Sequence, residues 1–227
     1  MKPRIQIAAT RTPDGSEVVL YRHDRDFTIT VDRQELMMSR AHESELALAR
    51  IGCARVAGHR NPRVLIGGLG MGYTLRQALD MLKPDATVVV AELLPEVVRW
   101  NHDYLGDLTG HPLRDRRVAV RIGDVAGLIR ASPNAFDALL LDIDNGTSAV
   151  TDAGNDRLYT REGIRSCLGA LHAKGCLAVW SAFRDVRFER RLRQERLHVR
   201  QFRVAARQGG KTRSCGIWLA SRDPSAV

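Results

Sequence analysis

The pattern of apolar and polar positions changes character near residue 60. Before it, apolar residues come in short β-branched or alternating runs. Val18, Val19, Leu20 and Tyr21 form one, and residues 27–31 form another. Pro13, Asp14, Gly15 and Ser16 make a turn cluster ahead of them. Residues 39–50 then place apolar side chains at helical spacing, with Ser39 as the expected N-cap. Gly58 to Pro62 breaks the pattern. From Arg63 the chain alternates strand, turn and helix. The spacing predicts strands at 64–66, 87–91, 118–122, 138–141 and 176–180, with helices at about 75–82, 95–105 and 160–173 between them. Such alternation implies βαβ units and a parallel sheet covered on both faces. Residues 199–206 and 214–220 flank a Gln-Gly-Gly-Lys-Thr turn and predict a closing antiparallel hairpin. The expected fold is α/β and Rossmann-like. It is a mostly parallel seven-stranded sheet with a C-terminal antiparallel hairpin and a small N-terminal β-piece. The expected division is residues 1–58 and 59–227.

Composition narrows the class. Hydrophobic residues make up 44% and charged residues 27% of 227, which excludes a disordered chain. No apolar run approaches the ~18 residues of a membrane span. The first residues lack a signal peptide's apolar core. Cys53, Cys167, Cys176 and Cys215 are scattered and form no C-x-x-C pair. They read as reduced thiols of a cytoplasmic protein, not as a disulfide frame or a zinc site. The net charge of +9 is concentrated: residues 184–213 hold eleven Arg/Lys against three acids. Such a stretch is either a nucleic-acid footprint or a solvated helix face with a charge-protected strand edge. No aromatic-interleaved motif accompanies the arginines, which favours the second reading. Self-association into a homodimer stays open.

The chemistry gathers at the predicted strand ends. Gly68, Gly70 and Gly72 stand between a strand and a helix, where glycine permits a tight turn and close approach of a ligand to the backbone. Glu92 ends the next strand, 20 residues after Gly72, about the offset at which an acid meets ribose hydroxyls. Asp124 follows the third strand and could accept from an adenine amino group. Asp142 follows the fourth. Leu93 and Val125 neighbour these acids and complete the expected nucleoside wall. Three acids at three successive strand ends are hard to explain as solubilising charge; Glu92 alone also reads as a helix-cap acid before Pro95. Asp142 and Asp144 lie two residues apart. An extended backbone would aim both carboxylates to one side, to grip an ammonium or take its proton. The loop does not fit an EF-hand: its glycine falls one position early and position twelve is Ala153. No metal is expected. His42 and Glu43 could wall the substrate side, and Tyr159 and Trp180 either line it or pack.

These residues carry a resemblance. GLGMGYTLRQ (68–77) resembles the glycine motif of spermidine synthases, G-G-G-D-G-G-T-L-R-E. ELLPEVV (92–98) resembles their E-I-D-P-x-V-V, Gly123-Asp124 their G-D-A, and FDALLLD (136–142) their Y-D-V-I-x-x-D. LYTRE (158–162) and His42-Glu43 match two further motifs. The resemblance runs from about Phe27 to Trp180. It implies the class I methyltransferase-type sheet. It also implies binding of S-adenosylmethionine, its decarboxylated form, or the thioether product. Met71 stands where the family has the Asp that holds the donor's amino end, and Ala41 stands for the Tyr of Y-H-E. A thioether cannot accept a charged hydrogen bond, so Met71 favours intact S-adenosylmethionine and methyl transfer to a small-molecule acceptor. The alternative is aminopropyl transfer from decarboxylated S-adenosylmethionine. A further alternative is a non-catalytic nucleoside- or nucleic-acid-binding protein.

Overall fold

The computed structural model describes residues 3–143, 155–182, 185–205 and 214–227. Two sheets organise them. The first has four antiparallel strands in chain order: β1 (Ile5–Arg11), β2 (Glu17–His23), β3 (Asp26–Val31) and β4 (Gln34–Met38). β1 and β4 went unmarked in the sequence pattern. The β3–β4 turn is Asp32-Arg33, both at positive φ (46° and 66°), a two-residue hairpin turn built without glycine.

The second sheet has seven strands. They are β5 (Arg63–Gly67), β6 (Thr87–Glu92), β7 (Val118–Ile122), β8 (Phe136–Leu141), β9 (Leu171–Ser181), β10 (His198–Ala205) and β11 (Ser214–Ser221). Their order is β10-β11-β9-β8-β5-β6-β7. The pairs among β5 to β9 are parallel, and β11 and β10 close the sheet antiparallel. The α/β fold expected from the alternation is therefore present.

The strands are apolar on both faces because helices cover both. Val64, Ile66, Val88, Val90, Ala138 and Leu140 face one layer. It holds α1 (Glu43–Cys53), α2 (Tyr73–Met81) and α3 (Pro95–Trp100). Leu65, Val89, Leu139 and Leu141 face the other layer, with α5 (Val125–Arg130), α6 (Arg161–Ala170) and α7 (Val186–Gln194). Each Val, Leu or Ile among them, fully buried, contributes about 1.5–3 kcal/mol.

Three local expectations are corrected. Ser39 does not cap α1. Its hydroxyl accepts from Phe27 N–H (3.0 Å) and ties β4 to β3, and the helix begins at Glu43. The helix after Thr160 ends at Ala170, where the chain turns directly into β9. The helix at 95–105 is not uniform: α3 widens into a π-helical turn over Asn101–Leu105 before α4 (Gly106–Thr109).

Candidate functional site

The chain leaves β5 toward β6 on one side and returns through β8 on the other, so a crevice opens beyond the carboxyl ends of β5 and β8. A cavity of about 360 Å³ occupies it, a size usual for small-molecule sites. Its floor is Gly68 and Gly70, and Glu92, Leu93, Asp124, Val125 and Asp142 line it. The N-terminal sheet supplies the opposite wall through Val18, Ile29, Val31, Leu36 and Met37. No sequence motif marks Met37. Its thioether lies against Gly70, where an added Cβ would stand 2.9 Å from the sulfur. Tertiary packing alone brings that wall to the crevice.

The turn after β5 depends on glycine. Gly68, Gly70 and Gly72 have φ of +90°, +51° and +85°. A Cβ on Gly68 would meet the Asp142 carbonyl oxygen at 2.2 Å. The backbone can lie this close to the β8 end because that side chain is missing. Gly68 N–H donates to Ala91 O (2.9 Å), and Asp142 N–H donates to Gly67 O (2.9 Å), which pins the turn between β6 and β8.

Glu92 is buried at the end of β6. One carboxylate oxygen accepts from Leu69 N–H (2.9 Å), the other from Leu94 N–H (3.0 Å). The second bond serves the start of α3, so the helix-cap reading and the pocket reading both hold for one residue. A carboxylate oxygen can accept more than one hydrogen bond, and Glu92 also lines the cavity. Asp124 likewise does two things. It caps α5 through Ala126 N–H (2.9 Å) and Gly127 N–H (3.1 Å), and it lines the cavity.

Met71 does not face the cavity. It is 4% exposed and packs in the core beneath α2 and α3, because the left-handed turn rolls its side chain away from the crevice. The expectation that Met71 meets the donor's tail is corrected on this point.

Asp142 is the acid at the switch point. The Thr74 hydroxyl, on the first turn of α2, donates to its Oδ2 at 2.5 Å. Burial pushes the Asp142 carboxyl up to about 7, with Glu45's charge adding to the rise and the Thr74 bond opposing it. Glu45, on α1, is also raised, chiefly by burial, and accepts from Ser44 Oγ at 2.6 Å. Glu45's charge thus acts on the Asp142 carboxyl, and Asp142 lines the cavity. Glu45 was missed in the sequence. Its one signal was a second acid, two residues after Glu43 in the first turn of a helix.

The other expected residues distribute as follows. Asp144 lies outside the described residues. The His42 ring stacks on Tyr73 (4.1 Å between centroids, planes 6° apart), and its Nδ1 lies 2.7 Å from Ser39 O. Glu43 pairs with Arg50 at 3.7 Å. Neither lines the cavity. Tyr159 is 1% exposed in the core of the opposite layer, edge-on to Phe188 (5.6 Å), so it does not wall a substrate. Trp180 packs against the α1-side core.

In the basic region, Arg191 donates to Tyr159 O (2.9 Å), Arg193 pairs with Glu189 (2.9 Å) and Arg203 donates to Ser214 Oγ (2.7 Å). These arginines bind the fold to itself. Among the described residues no cluster of side chains suits a metal ion, and no helix is long and apolar enough to cross a membrane.

Comparisons with known proteins agree on the architecture. No family model matches the chain. Polyamine aminopropyltransferases from Saccharolobus islandicus strains are 30% identical to it over 112 residues, 49% of this chain and 36% of theirs. The matched stretch thus spans about a third of those relatives. The crystal structure of spermidine synthase from Thermotoga maritima superposes with a TM-score of 0.75 at 19% identity, covering 98% of this chain and 74% of that one. A spermidine synthase in complex with the transition state analogue AdoDATO gives 0.74 at 18% identity, with the same coverage. A probable spermidine synthase from Corynebacterium glutamicum gives 0.65 at 17% identity, covering 97% of this chain and 80% of that one. The chain has the spermidine-synthase form of the class I methyltransferase-like fold and resembles the aminopropyltransferases in sequence.

Proposed function

We propose that the protein is a transferase that moves an aminopropyl group from decarboxylated S-adenosylmethionine to an amine. The observation that carries this reading is Asp142, an acid that lines the glycine-floored cavity and whose carboxyl is raised by burial and by Glu45's charge. An amine attacks carbon only as the free base, and at neutral pH it arrives as an ammonium. A carboxylate poised near 7 suits both tasks: it attracts the cation and accepts its proton. The named activity of the similar proteins supports the same choice. Methyl transfer, the first expectation from the sequence, drew in part on Met71 meeting the donor, and Met71 is in the core.

The residues fit the nucleoside donor. Gly68 and Gly70 bring bare backbone to the cavity, Glu92 lines it as a carboxylate acceptor suited to ribose hydroxyls, and Asp124 lines it as one suited to an adenine amino group. When bound, the donor's sulfonium supplies the leaving group and the electrophilic carbon. The chain's part is alignment and proton removal. Asp142 takes one proton from the acceptor nitrogen, and Thr74 orients the carboxylate. The N-terminal sheet excludes water from the far wall through Met37 and Leu36.

The test is direct. The protein is incubated with putrescine and either decarboxylated or intact S-adenosylmethionine, and nucleoside products are separated by chromatography. The reading expects 5′-methylthioadenosine from the decarboxylated donor alone. S-adenosylhomocysteine from the intact donor would restore methyl transfer, and no turnover of either would leave a nucleoside-binding protein.

A further inference from the structure

The glycine turn is held from behind by a residue outside every motif. Three of its residues are left-handed, a path that a chain does not keep without support. Among the described residues, two side chains hydrogen-bond its backbone. Glu92 binds Leu69 N–H from the cavity side. Asn101, 3% exposed, binds from the core side: its amide nitrogen donates to Gly70 O at 2.8 Å and to Val97 O at 2.9 Å. Both partners are carbonyls, so the NH₂ group must face them and the amide has one allowed orientation. Its oxygen then points at the turn's third glycine. A Cβ on Gly72 would stand 3.1 Å from Asn101 Oδ1 and 3.3 Å from Thr109 Oγ1.

The helix changes shape where it supplies this residue. Asn101 opens the π-helical turn between α3 and α4. A π-turn inserts one extra residue, is rare, and persists where something compensates it, often at functional sites. Here the compensation is visible. The Asn101 amide ties its own helix at Val97 O and the cavity floor at Gly70 O in one step. A regular α-helical continuation would turn the following residues off this path.

We propose that Asn101 is a positioning residue for the nucleoside donor. It fixes the Gly70–Met71 peptide, so that Gly68 and Gly70 present a flat floor to the ligand, and it touches no ligand itself. The inference rests on the nucleoside reading of the cavity, but not on which group is transferred.

The experiment measures 5′-methylthioadenosine binding by calorimetry, with thermal unfolding of the same samples alongside. Asn101→Asp keeps the shape and loses both donors, Asn101→Ala loses the whole amide, and Thr109→Val removes the neighbouring hydroxyl as a control. The expected result is affinity weakened about five- to twentyfold in both Asn101 variants, the scale of one or two lost hydrogen bonds. Thr109→Val should stay within about twofold of the wild type. In turnover, the KM for the donor should rise while the KM for the amine holds. Asn101→Ser, which keeps one small donor, should fall between wild type and alanine, and it replaces the alanine variant should that one not fold. Unchanged affinity in folded Asn101 variants with a lowered unfolding midpoint would make Asn101 a fold residue only and overturn the proposal. Absence of binding by the wild-type protein would overturn the nucleoside reading, and this inference with it.

Discussion

The donor side of the crevice draws its glycine floor, Glu92 and Asp124 from three successive strand-to-helix turns, each written within a few residues. The acid side draws Glu45 from α1, Thr74 from α2 and Asp142 from β8, positions separated by up to 97 residues. The first region satisfies its polar groups locally: Glu92 and Asp124 each accept two backbone N–H bonds. The second leaves two acids raised chiefly by burial, with Glu45's charge adding to the rise of Asp142. A region that is locally satisfied positions a ligand. A region that is electrostatically frustrated is ready to take up a cation or a proton.

Five measurements break or sharpen that contrast. The largest effect falls on the acid side. Asp142→Asn should lower turnover by about 10²–10⁴-fold, the usual worth of a general base. The same variant should also report on stability. The folded state keeps the Asp142 proton up to about 7, whereas the unfolded chain releases it near the ordinary 3.8. The wild type therefore loses stability as pH rises through that window. Asp142→Asn removes this loss, so its unfolding midpoint relative to wild type should be higher at pH 8 than at pH 5.

Next is Met71→Asp. A donor-facing Met71 would make this a specificity change. A core Met71 makes it a buried unpaired charge, costing about 3 kcal/mol or more and lowering the unfolding midpoint by about 6–12 °C. A folded, undiminished variant with altered donor preference would contradict the burial of residue 71.

Glu92→Ala tests the locally satisfied side. It removes ribose acceptors and the bond from Leu69 N–H together, so nucleoside affinity should fall by about 1–3 kcal/mol in calorimetry, with the domain still folded. Glu45→Gln is subtler. Its charge helps raise Asp142, so neutralising it should move the rising limb of the pH–rate profile from near 7 toward acid. A limb that stays in place would separate Glu45 from the base. The smallest effect lies outside both regions. Arg187 and Arg190 are exposed on α7, and changing both to Gln should alter stability by no more than about 0.5 kcal/mol each. It should also leave the salt dependence of any RNA or DNA binding flat. A steep slope lost in this variant would identify a nucleic-acid surface after all.

What the sequence determined by itself was everything carried by short-range pattern. The parallel sheet followed from Val64 to Ile66, Val88 to Val90 and Leu139 to Leu141, because strands covered on both faces leave no polar position to alternate with. The glycine turn and the acids after β6 and β7 were legible because glycine at positive φ and an acid at a strand end act within their own loop. Tertiary structure decided the rest. Strand β4 was hidden because the Asp32-Arg33 turn adopts left-handed angles without the glycine that announces them. Met71 and Tyr159 look like site residues in their motifs, but the direction of a side chain is set by the roll of the backbone and the layer it meets. Glu45 and Asn101 carry no motif at all. Glu45 matters through a charge and Asn101 through a hydrogen bond, and both act on residues distant in the chain: Asp142 for the first and Gly70 for the second. Such couplings exist only after α1 and the π-turn have packed against the sheet and its glycine turn. Periodicity records which face of an element is buried, not what that face is buried against.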